Sequence, residues 1–467
     1  MSAVSMVTRR AVPDVLREMF GRQNRFITLI AVLAALGGFL FVYDTGVVGG
    51  AAPYIKKSLG IGSFGESWVV GSLLLGAIAG AFLSGRLADL LSRKWTKFVA
   101  GIIYTAAALG SAFAPTVVTL CAARFVLGIA VGTASFVAPM YISEHSPARL
   151  RGGMTAFNQV MITFGILVAY LADYALSGFS HNWRWMFGFG AVPGICLAVA
   201  MAFVPHTPRW LVQRGRDDEA RSVLARSRPE QEIDDEIEGI RKAAQSQHAF
   251  RFRQLFGPRL RMLLLVGAGM AMFQQILGIN TVIYFGATIL KFAGYTTSTS
   301  VYEAVYLGII NMVGALVALL LLDKVGRRPL MITGTTGNVL TLIGLGWFFH
   351  TSSAFQHANP GIALGLIMTY LLFFEISLGP IFWVMIAEIY PLRSRAKAMA
   401  AATMVNWTFN FLISYFFLQM TQDISKAGTF WLYAGFGVLA VIFFAWKLPE
   451  TKDRSLEDIE RQVRGKE

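Results

Sequence analysis

The chain is divided into long apolar blocks, separated for the most part by short polar segments. A helix needs about 20 apolar residues to cross the hydrocarbon core of a bilayer. Twelve blocks are long enough, and their uniform hydrophobicity favours membrane spans over amphipathic surface helices. The predicted spans are 26–51, 66–88, 95–114, 117–142, 153–176, 183–204, 259–291, 299–322, 328–350, 361–387, 396–421 and 427–448.

One long polar stretch separates the first six spans from the last six. Its charged repeats, such as Asp217-Asp218-Glu219, predict short amphipathic helices at a surface. The predicted fold class is therefore an all-α membrane protein with twelve transmembrane helices in two six-helix bundles. The expected domains are a cytosolic leader (1–25), an N-terminal bundle (26–204), a linker with short helices (205–258), a C-terminal bundle (259–448) and a cytosolic tail (449–467).

The two halves carry the same polar motifs in the same order. After the second span of each half, an acid is followed four and five residues later by two bases. After the fourth span, a glutamate precedes an arginine by seven residues, and each half ends on a proline motif. Three matched pairs in one order indicate a duplicated, pseudo-symmetric six-span unit. The pairs are Asp89, Arg93 and Lys94 with Asp323, Arg327 and Arg328; Glu144 and Arg151 with Glu388 and Arg395; and Pro205 with Pro449.

Composition supports membrane insertion, since 55% of the 467 residues are hydrophobic and only 15% are charged. The net charge of +14 would also suit a nucleic-acid-binding protein, but the bases lie in loops between apolar blocks. With alternating spans, 35 of the 41 Lys and Arg residues fall on the side of both termini. This asymmetry predicts a multi-pass protein of the plasma membrane with both termini cytosolic. Residues 1–25 contain no convincing cleavage site and are expected to be retained.

Features of an enzyme or a metalloprotein are not found. The two cysteines, Cys121 and Cys196, lie in apolar blocks, and the six histidines are scattered without ligand spacing. The sequence also contains no Walker-type phosphate loop. We therefore expect no catalysis, no cofactor, no metal and no nucleic-acid partner.

A group of polar residues interrupts the apolar run 262–290, which carries no formal charge. Gln274, Gln275 and Asn280 lie near its midpoint, where polar side chains are costly unless they face a partner, a cavity or a ligand. In an ideal helix, at about 100° per residue, the three would point in different directions. A break at Gly278 would turn them toward one cavity, as in discontinuous transporter helices. The alternative is that such amides only join neighbouring helices.

Two charges occur alone in otherwise uncharged segments. Asp44 is the only charged residue between Arg25 and Lys56, and Arg124 is the only one between Lys97 and Glu144. Because an unpaired buried charge is costly, the simplest partner for each is the other. The alternative places Asp44 as a helix cap near the outer surface, since it lies about 27 Å along a helix from residue 26.

From about residue 26 to 460 the sequence resembles the sugar porters of the major facilitator superfamily, including proton-coupled glucose and xylose symporters and facilitative glucose transporters. The resemblance rests on Gly85-Arg86-Leu-Ala-Asp89, Arg124, Pro139-Met-Tyr-Ile-Ser-Glu144, Arg151-Gly152, Asn158-Gln159, Trp183-Arg184, Pro208-Arg209, residues 274–284, Asp323 to Arg328, Gly379-Pro380-Ile-Phe-Trp383, Glu388, Asn406-Trp407 and Pro449-Glu450-Thr451.

The resemblance implies a central sugar site that opens alternately to each side of the membrane. Amides suit this site because they match the donor and acceptor hydroxyls of a sugar without charge. The implied sugar-binding residues are Gln159, Gln274, Gln275, Asn280, Asn311, Trp383 and Asn406, with Phe41, Tyr284 and Phe374 closing the pocket.

The resemblance also implies how transport is driven. Proton-coupled members have an aspartate at the position of Asp44 together with the arginine at 124, whereas facilitative members typically have an amide at the first position. We therefore expect a monosaccharide:proton symporter that works as a monomer. A uniporter and a transporter-like sugar sensor are the alternatives. Xylose porters usually carry a second glutamine where this chain has Ile166, which favours glucose or a related hexose. Val42 replaces a glycine common in the family.

The loop charges resemble the network that latches the two bundles on the cytosolic side in the outward-facing state. Surface ion pairs of little energy, with bases placed by membrane topology, are the alternative explanation. The predicted gating charges are Arg86, Asp89, Arg93, Glu144, Arg151, Arg209, Asp323, Arg327, Arg328, Glu388, Arg395 and Glu450.

Overall fold

The computed structural model of the protein describes residues 25–147, 151–248, 252–391 and 394–451. Nineteen α-helices account for most of these described residues. The predicted leader up to residue 24 and the tail after residue 451 lie outside these ranges. The first six helices are α1 (Arg25–Leu59), α2 (Ser63–Ala112), α3 (Val117–His145), α4 (Arg151–Leu176), α5 (Asn182–Phe189) and α6 (Ala191–Phe203).

The remaining helices form the linker and the second half. The linker contains α7 (Pro208–Gln213), α8 (Asp217–Leu224), α9 (Glu230–His248) and a 3₁₀ turn (Phe252–Phe256). The second half contains α10 (Pro258–Ile276), α11 (Ile279–Tyr284), α12 (Gly286–Phe292), α13 (Thr297–Val325), α14 (Arg327–His350), α15 (Ser353–Ala358), α16 (Pro360–Glu375), α17 (Leu378–Glu388), α18 (Arg395–Asp423) and α19 (Lys426–Lys447).

The helices reproduce the twelve predicted spans. Ten described helical segments are long and apolar enough to cross a membrane. One of them, α2, has 50 residues and carries both span 66–88 and span 95–114, with a turn at Ser92. The more polar α14, rich in threonine and glycine, accounts for span 328–350. Some spans consist of two helices in sequence, such as α5 with α6 and α16 with α17.

Small residues bring α2 and α3 into backbone contact. A Cβ atom on Gly128 would lie 2.0 Å from the carbonyl oxygen of Leu73, and one on Gly76 would lie 2.0 Å from that of Phe125. Such close packing is a common way for membrane helices to associate, because apolar surface alone gives no driving force between them in lipid. Arg124 lies one turn before Gly128, so this contact brings its guanidinium group against α2.

The two halves meet at one end of the molecule, which we call the far end; the opposite end carries α7–α9 and is called the linker end. At the far end, α1 packs on α11 and α12, α2 packs on α18, and α4 packs on α13. Tyr170 donates a hydrogen bond to the carbonyl oxygen of Ile283 at 2.9 Å, and Thr288 donates one to Glu66 at 3.4 Å. These contacts between the halves close the far end.

The linker helices are docked on the first half. They share a small apolar core that includes Leu211, Leu224 and Ile233. Arg228 forms two hydrogen bonds with Glu236, at 2.8 and 2.9 Å, and donates a third to the carbonyl oxygen of His145 at the end of α3. The linker therefore moves with the first half as long as these contacts persist.

The turn at Ser92 has an unusual backbone conformation that recurs in the second half. Ser92 has φ 81° and ψ 157°, while Gly326, at the matching place before Arg327, has φ 102° and ψ 161°. This region of conformational space is essentially restricted to glycine. The Ser92 hydroxyl group offsets part of the strain, because it accepts a hydrogen bond from the backbone of Trp95 and contacts His206 at 3.0 Å.

We predict that Ser92→Gly is more stable than Ser92→Ala, by about 1 kcal/mol or more. Both variants lose the hydroxyl group, but only alanine keeps a Cβ atom in the strained conformation. Apparent melting temperatures in detergent measure the difference. Ser84, buried within α2 with ordinary helical geometry, is the matched control, and there alanine should be the more stable replacement. The same order at both positions would contradict strain at Ser92.

Candidate functional site

Two helix breaks lie next to each other in the second half. The first separates α10 from α11 at Gly278, which has φ 89° and ψ 21°. A side chain there would also meet the ring of Tyr433, 2.5 Å from its Cβ atom. The second break separates α16 from α17 at Ser377, with φ −132° and ψ −95°. Pro380 favours this break because it has no N–H to continue the hydrogen-bonding of α16.

A side chain next to each helix break donates hydrogen bonds to backbone carbonyl groups of the other break. Gln274 donates hydrogen bonds to the carbonyl oxygens of Leu378 and Gly379, at 2.9 and 3.2 Å. In return, the Tyr370 hydroxyl group on α16 donates to the carbonyl oxygen of Leu277 at 2.9 Å. Backbone groups released by unwinding are therefore satisfied by protein partners, as a membrane interior requires.

Four amides form one hydrogen-bonded network at this point. The Gln274 oxygen accepts a bond from the Asn406 amide nitrogen at 2.6 Å, and Gln275 donates to the Asn406 oxygen at 3.2 Å. Asn280 donates to the Gln275 oxygen. The predicted break at Gly278 is confirmed, and it lets residues on both sides of it enter one network. Asn280 remains partly exposed, whereas the other three amides are buried.

Asn311 belongs to a different polar pair. It donates a hydrogen bond to Glu375 at 3.1 Å and is 1% exposed. The second Glu375 oxygen faces Gly379, where a Cβ atom would lie 3.2 Å away. Asn311 thus reaches the second helix break through Glu375.

The other predicted pocket residues surround the network without joining it. Tyr284 is buried and accepts a hydrogen bond from Asn410 at 3.1 Å. Phe374 is buried beside the second break, and Phe41 packs edge-on against Trp407 with ring centroids 5.0 Å apart. Three predicted residues of this group stay partly exposed: Phe41, Gln159, and Trp383, which is 40% exposed and packs against Phe382.

Asp44 and Arg124 form a buried ion pair in the first half. An Arg124 nitrogen lies 3.2 Å from an Asp44 oxygen, and the residues are 1% and 3% exposed. Arg124 also donates to the carbonyl oxygen of Val69 at 2.6 Å and stacks over the ring of Phe187. Asp44 lies inside α1, so the alternative that it caps a helix near a surface is wrong.

At the linker end, the predicted gating charges pair within each half. Arg93 on α2 lies 3.2 Å from Glu144 on α3, and this ion pair joins the two helices. Arg93 also lies 3.1 Å from Asp89 on its own helix. At the matching place in the second half, Arg327 lies 3.1 Å from Glu388, which joins α14 to α17. The duplicated motifs thus make duplicated contacts.

Glu450 closes the start of α14 by accepting hydrogen bonds from the backbone nitrogens of Arg327 and Arg328, at 3.2 and 3.1 Å. An acid at a helix N-terminus is favoured because it satisfies free N–H groups and the helix dipole. The remaining predicted gating charges are Arg86, which is exposed, Arg209, which is partly buried in α7, Arg395, which donates to the carbonyl oxygen of Tyr390, and Arg151 and Asp323, whose side chains lie outside the described part of the structure.

Sequence reasoning missed two buried carboxyl groups that form no ion pair among the described residues, Glu375 on α16 and Asp173 on α4. They are 5% and 0% exposed, and each lies inside a predicted span. The signal that led to Asp44, a lone charge within an apolar block, was present at both positions. Tyr370 was also missed, because only the three-dimensional structure brings it to the first helix break.

Comparison with known proteins identifies the fold and family. A family model described as "Sugar (and other) transporter" matches residues 30–463. The chain belongs to this sugar transporter family. It is 38% identical to the D-xylose transporter of Levilactobacillus brevis over 92% of this chain and 94% of the relative. It is 36% identical to the galactose-proton symporter of Escherichia coli strain K12, over 97% of each chain.

A solved structure supports the same assignment. The inward-open form of the xylose transporter XylE from E. coli matches with a TM-score of 0.81 at 29% identity, covering 93% of this chain and 99% of that one. The predicted major facilitator fold, with twelve helices in two pseudo-symmetric bundles, is confirmed. The family consists of membrane transporters, and the expectation of a multi-pass membrane protein is confirmed with it.

Proposed function

We propose that the protein is a proton-coupled monosaccharide symporter. The observation that carries this proposal is the buried Asp44–Arg124 ion pair in one half, together with an amide-lined pair of helix breaks in the other half. The two features meet where α1, which carries Asp44, packs on α11, which follows the first break: a Cβ atom on Gly49 would lie 3.5 Å from the carbonyl oxygen of Tyr284. A proton site and a neutral polar site are thus adjacent at the contact between the bundles.

The amide network is the proposed sugar site. Each amide offers donors and acceptors without charge, which suits the hydroxyl groups of a monosaccharide. Gln274, Gln275 and Asn406 bond to one another, and a sugar would exchange these bonds for its own. Partly exposed Asn280, Gln159 and Trp383 are the proposed residues of first contact. The remaining proposed pocket residues are Asn311, Phe41, Tyr284 and Phe374.

Glucose or a related hexose is the substrate we propose to test first. The relatives are named for xylose and galactose, so the family handles both pentoses and hexoses. Ile166 is buried in this chain and presents no amide where xylose porters usually have one.

The ion pair supplies a mechanism for coupling. Protonation of Asp44 removes its negative charge and weakens its hold on Arg124, which keeps its bond to the carbonyl oxygen of Val69. Because α1 carries Asp44 and also contacts α11 of the other half, this change biases the balance between the open and closed states. Loss of the proton restores the pair.

The linker end is proposed to face the cytosol, because the basic residues are concentrated there. The far end is then the outer face, and its closure corresponds to an inward-facing state. In this state the pairs Arg93–Glu144 and Arg327–Glu388 lie within the halves. We propose that these charges rearrange to hold the two halves together when the linker end closes.

Replacing Gln275 with leucine is predicted to raise the sugar dissociation constant about tenfold or more, because a sugar hydroxyl group would lose a partner in a buried site. Isothermal titration with glucose, galactose and xylose measures this effect. The matched control is Asn338→Leu, which removes a buried α14 amide that has no hydrogen-bonding partner among the described residues. Equal losses in both variants, or none at Gln275, would argue against the site.

Asp44→Asn is predicted to keep sugar counterflow in proteoliposomes but to lose uphill uptake driven by a pH gradient, because asparagine cannot bind and release the proton. Asp423→Asn, an exposed change at the far end, is the control and should keep both activities. If Asp44→Asn still accumulates sugar against its gradient, coupling lies elsewhere. If the wild type also ignores the pH gradient, the protein is a uniporter.

Glu144→Ala is predicted to leave sugar affinity unchanged while slowing net transport about tenfold or more, since it leaves the buried Arg93 without its partner on α3. Binding in detergent and initial uptake rates in proteoliposomes separate the two effects, after reconstituted protein has been equalised. A parallel loss of binding would instead indicate a general structural defect.

A further inference from the structure

Asp173 is a second buried carboxyl group of the first half that the coupling mechanism does not use. It lies near the end of α4 and is 0% exposed. Neither of its oxygens has a hydrogen-bonding partner of good geometry within the described residues. Buried polar atoms are normally satisfied, so a carboxyl group without a partner points to a role outside structure.

The carboxyl group is pressed against α1. A Cβ atom on Gly50 would lie 2.2 Å from one Asp173 oxygen, so only glycine leaves room for it. Gly50 is six residues beyond Asp44, about 9 Å along the helix. Asp173 therefore lies at the α1–α4 contact, against the helix that carries Asp44 but closer to the far end.

No cation among the described residues faces Asp173. The groups that interact with it electrostatically are phenols and one carboxyl group: Tyr43, Asp44 and Tyr54 on α1, and Tyr170 on its own helix. An ionised carboxylate buried without an ion pair among the described residues, and with the backbone of Gly50 as a poorly oriented donor, costs several kcal/mol. Asp173 consequently carries a proton in this closed state.

The helices that bury Asp173 also close the far end. Gly49, next to Gly50, packs so tightly on α11 that a Cβ atom would lie 2.7 Å from the carbonyl oxygen of Ile283. Tyr170, one turn before Asp173, donates its hydrogen bond to that same oxygen. Parting of α1 and α4 from α11 would open the region beside Asp173 to water from the far side.

We propose that Asp173 is a proton-binding group of the far-end gate. As the far end closes, the carboxylate takes a proton from a hydronium ion and leaves a water molecule; as it opens, the carboxyl group returns the proton to water on the same side. This proton is not transported, in contrast to the one assigned to Asp44. The inference rests on the proposed alternating-access symport.

The direction of the pH effect follows from the proton count. The closed far end holds one more proton at Asp173 than the open far end. Raising the pH on that side therefore favours opening, by up to tenfold in the equilibrium constant per pH unit. Acid on that side favours closure and speeds the step that follows sugar binding.

Distances between spin labels on Lys57→Cys and Gln422→Cys report far-end opening, since these exposed residues lie in opposite halves. Cys121 and Cys196 are replaced by serine in every sample. The pH dependence is compared between Asp44→Asn and Asp44→Asn with Asp173→Asn, so that the coupling carboxyl group is absent from both. Glu66 is present in both proteins, so its contribution to the pH dependence is the same in each and drops out of the comparison.

In the single Asp44→Asn protein, the fraction of molecules with an open far end is expected to increase as the pH rises. In the double variant, the pH dependence of the opening equilibrium constant is expected to be weaker, by up to a factor of ten per pH unit. Equal pH profiles of the two proteins would overturn the proposal. Asp423→Asn in the Asp44→Asn background is the control and should leave the profile unchanged. If Asp173→Asn does not reach the membrane, Asp173→Ser, which also lacks a carboxyl group, replaces it.

Transport measurements distinguish a failure of the Asp173 gate role from a failure of the proposed proton-coupled symport. Asp173→Asn alone is expected to keep the proton-to-sugar ratio of the wild type, while the uptake rate loses part of its dependence on external pH. A changed ratio would mean that the Asp173 proton is transported and would overturn the gate role. Absence of proton coupling in the wild type would refute symport itself, an outcome that the spin-label profiles do not determine.

Discussion

Satisfaction of polar groups in a medium without water is the constraint on which this structure depends. The clearest case is the ion pair of Asp44 and Arg124, which cannot be dismantled by removing one partner without leaving a buried charge. The same constraint explains why Gln274 and Tyr370 each reach across to the opposite helix break. Unwound backbone inside a membrane persists only where the protein itself supplies partners. The polar sites are therefore few, connected and located where helices can move.

Closure of the far end connects these sites. The first half presents α1 and α4, and the second half presents α11, so that the Asp44 helix, the Asp173 helix and the first helix break meet at one contact. A change in charge on α1 therefore alters the packing of α1 against α11, the helix that follows Gly278. At the opposite end, duplicated ion pairs keep each half rigid. Two rigid halves with one shared contact surface are what alternating access requires.

The sequence predicts the spans, the duplicated motifs and the break at Gly278 because each of these depends on local patterns of hydropathy, charge and glycine. It does not predict which groups bond across the breaks, since Gln274 meets carbonyl groups more than 100 residues away. The partner of Asn311 was missed because Glu375 was not recognised as a lone buried charge. The pairing of loop charges within the halves reflects the conformational state, and one sequence serves every state of the cycle.

Sugar accumulation in proteoliposomes with imposed pH gradients and no membrane potential tests the central claim most directly. If one proton, bound at Asp44, accompanies each sugar, the steady-state ratio of internal to external sugar should rise about tenfold for each pH unit of gradient. A ratio that remains at one for every gradient, in vesicles that equilibrate sugar readily, would contradict the account.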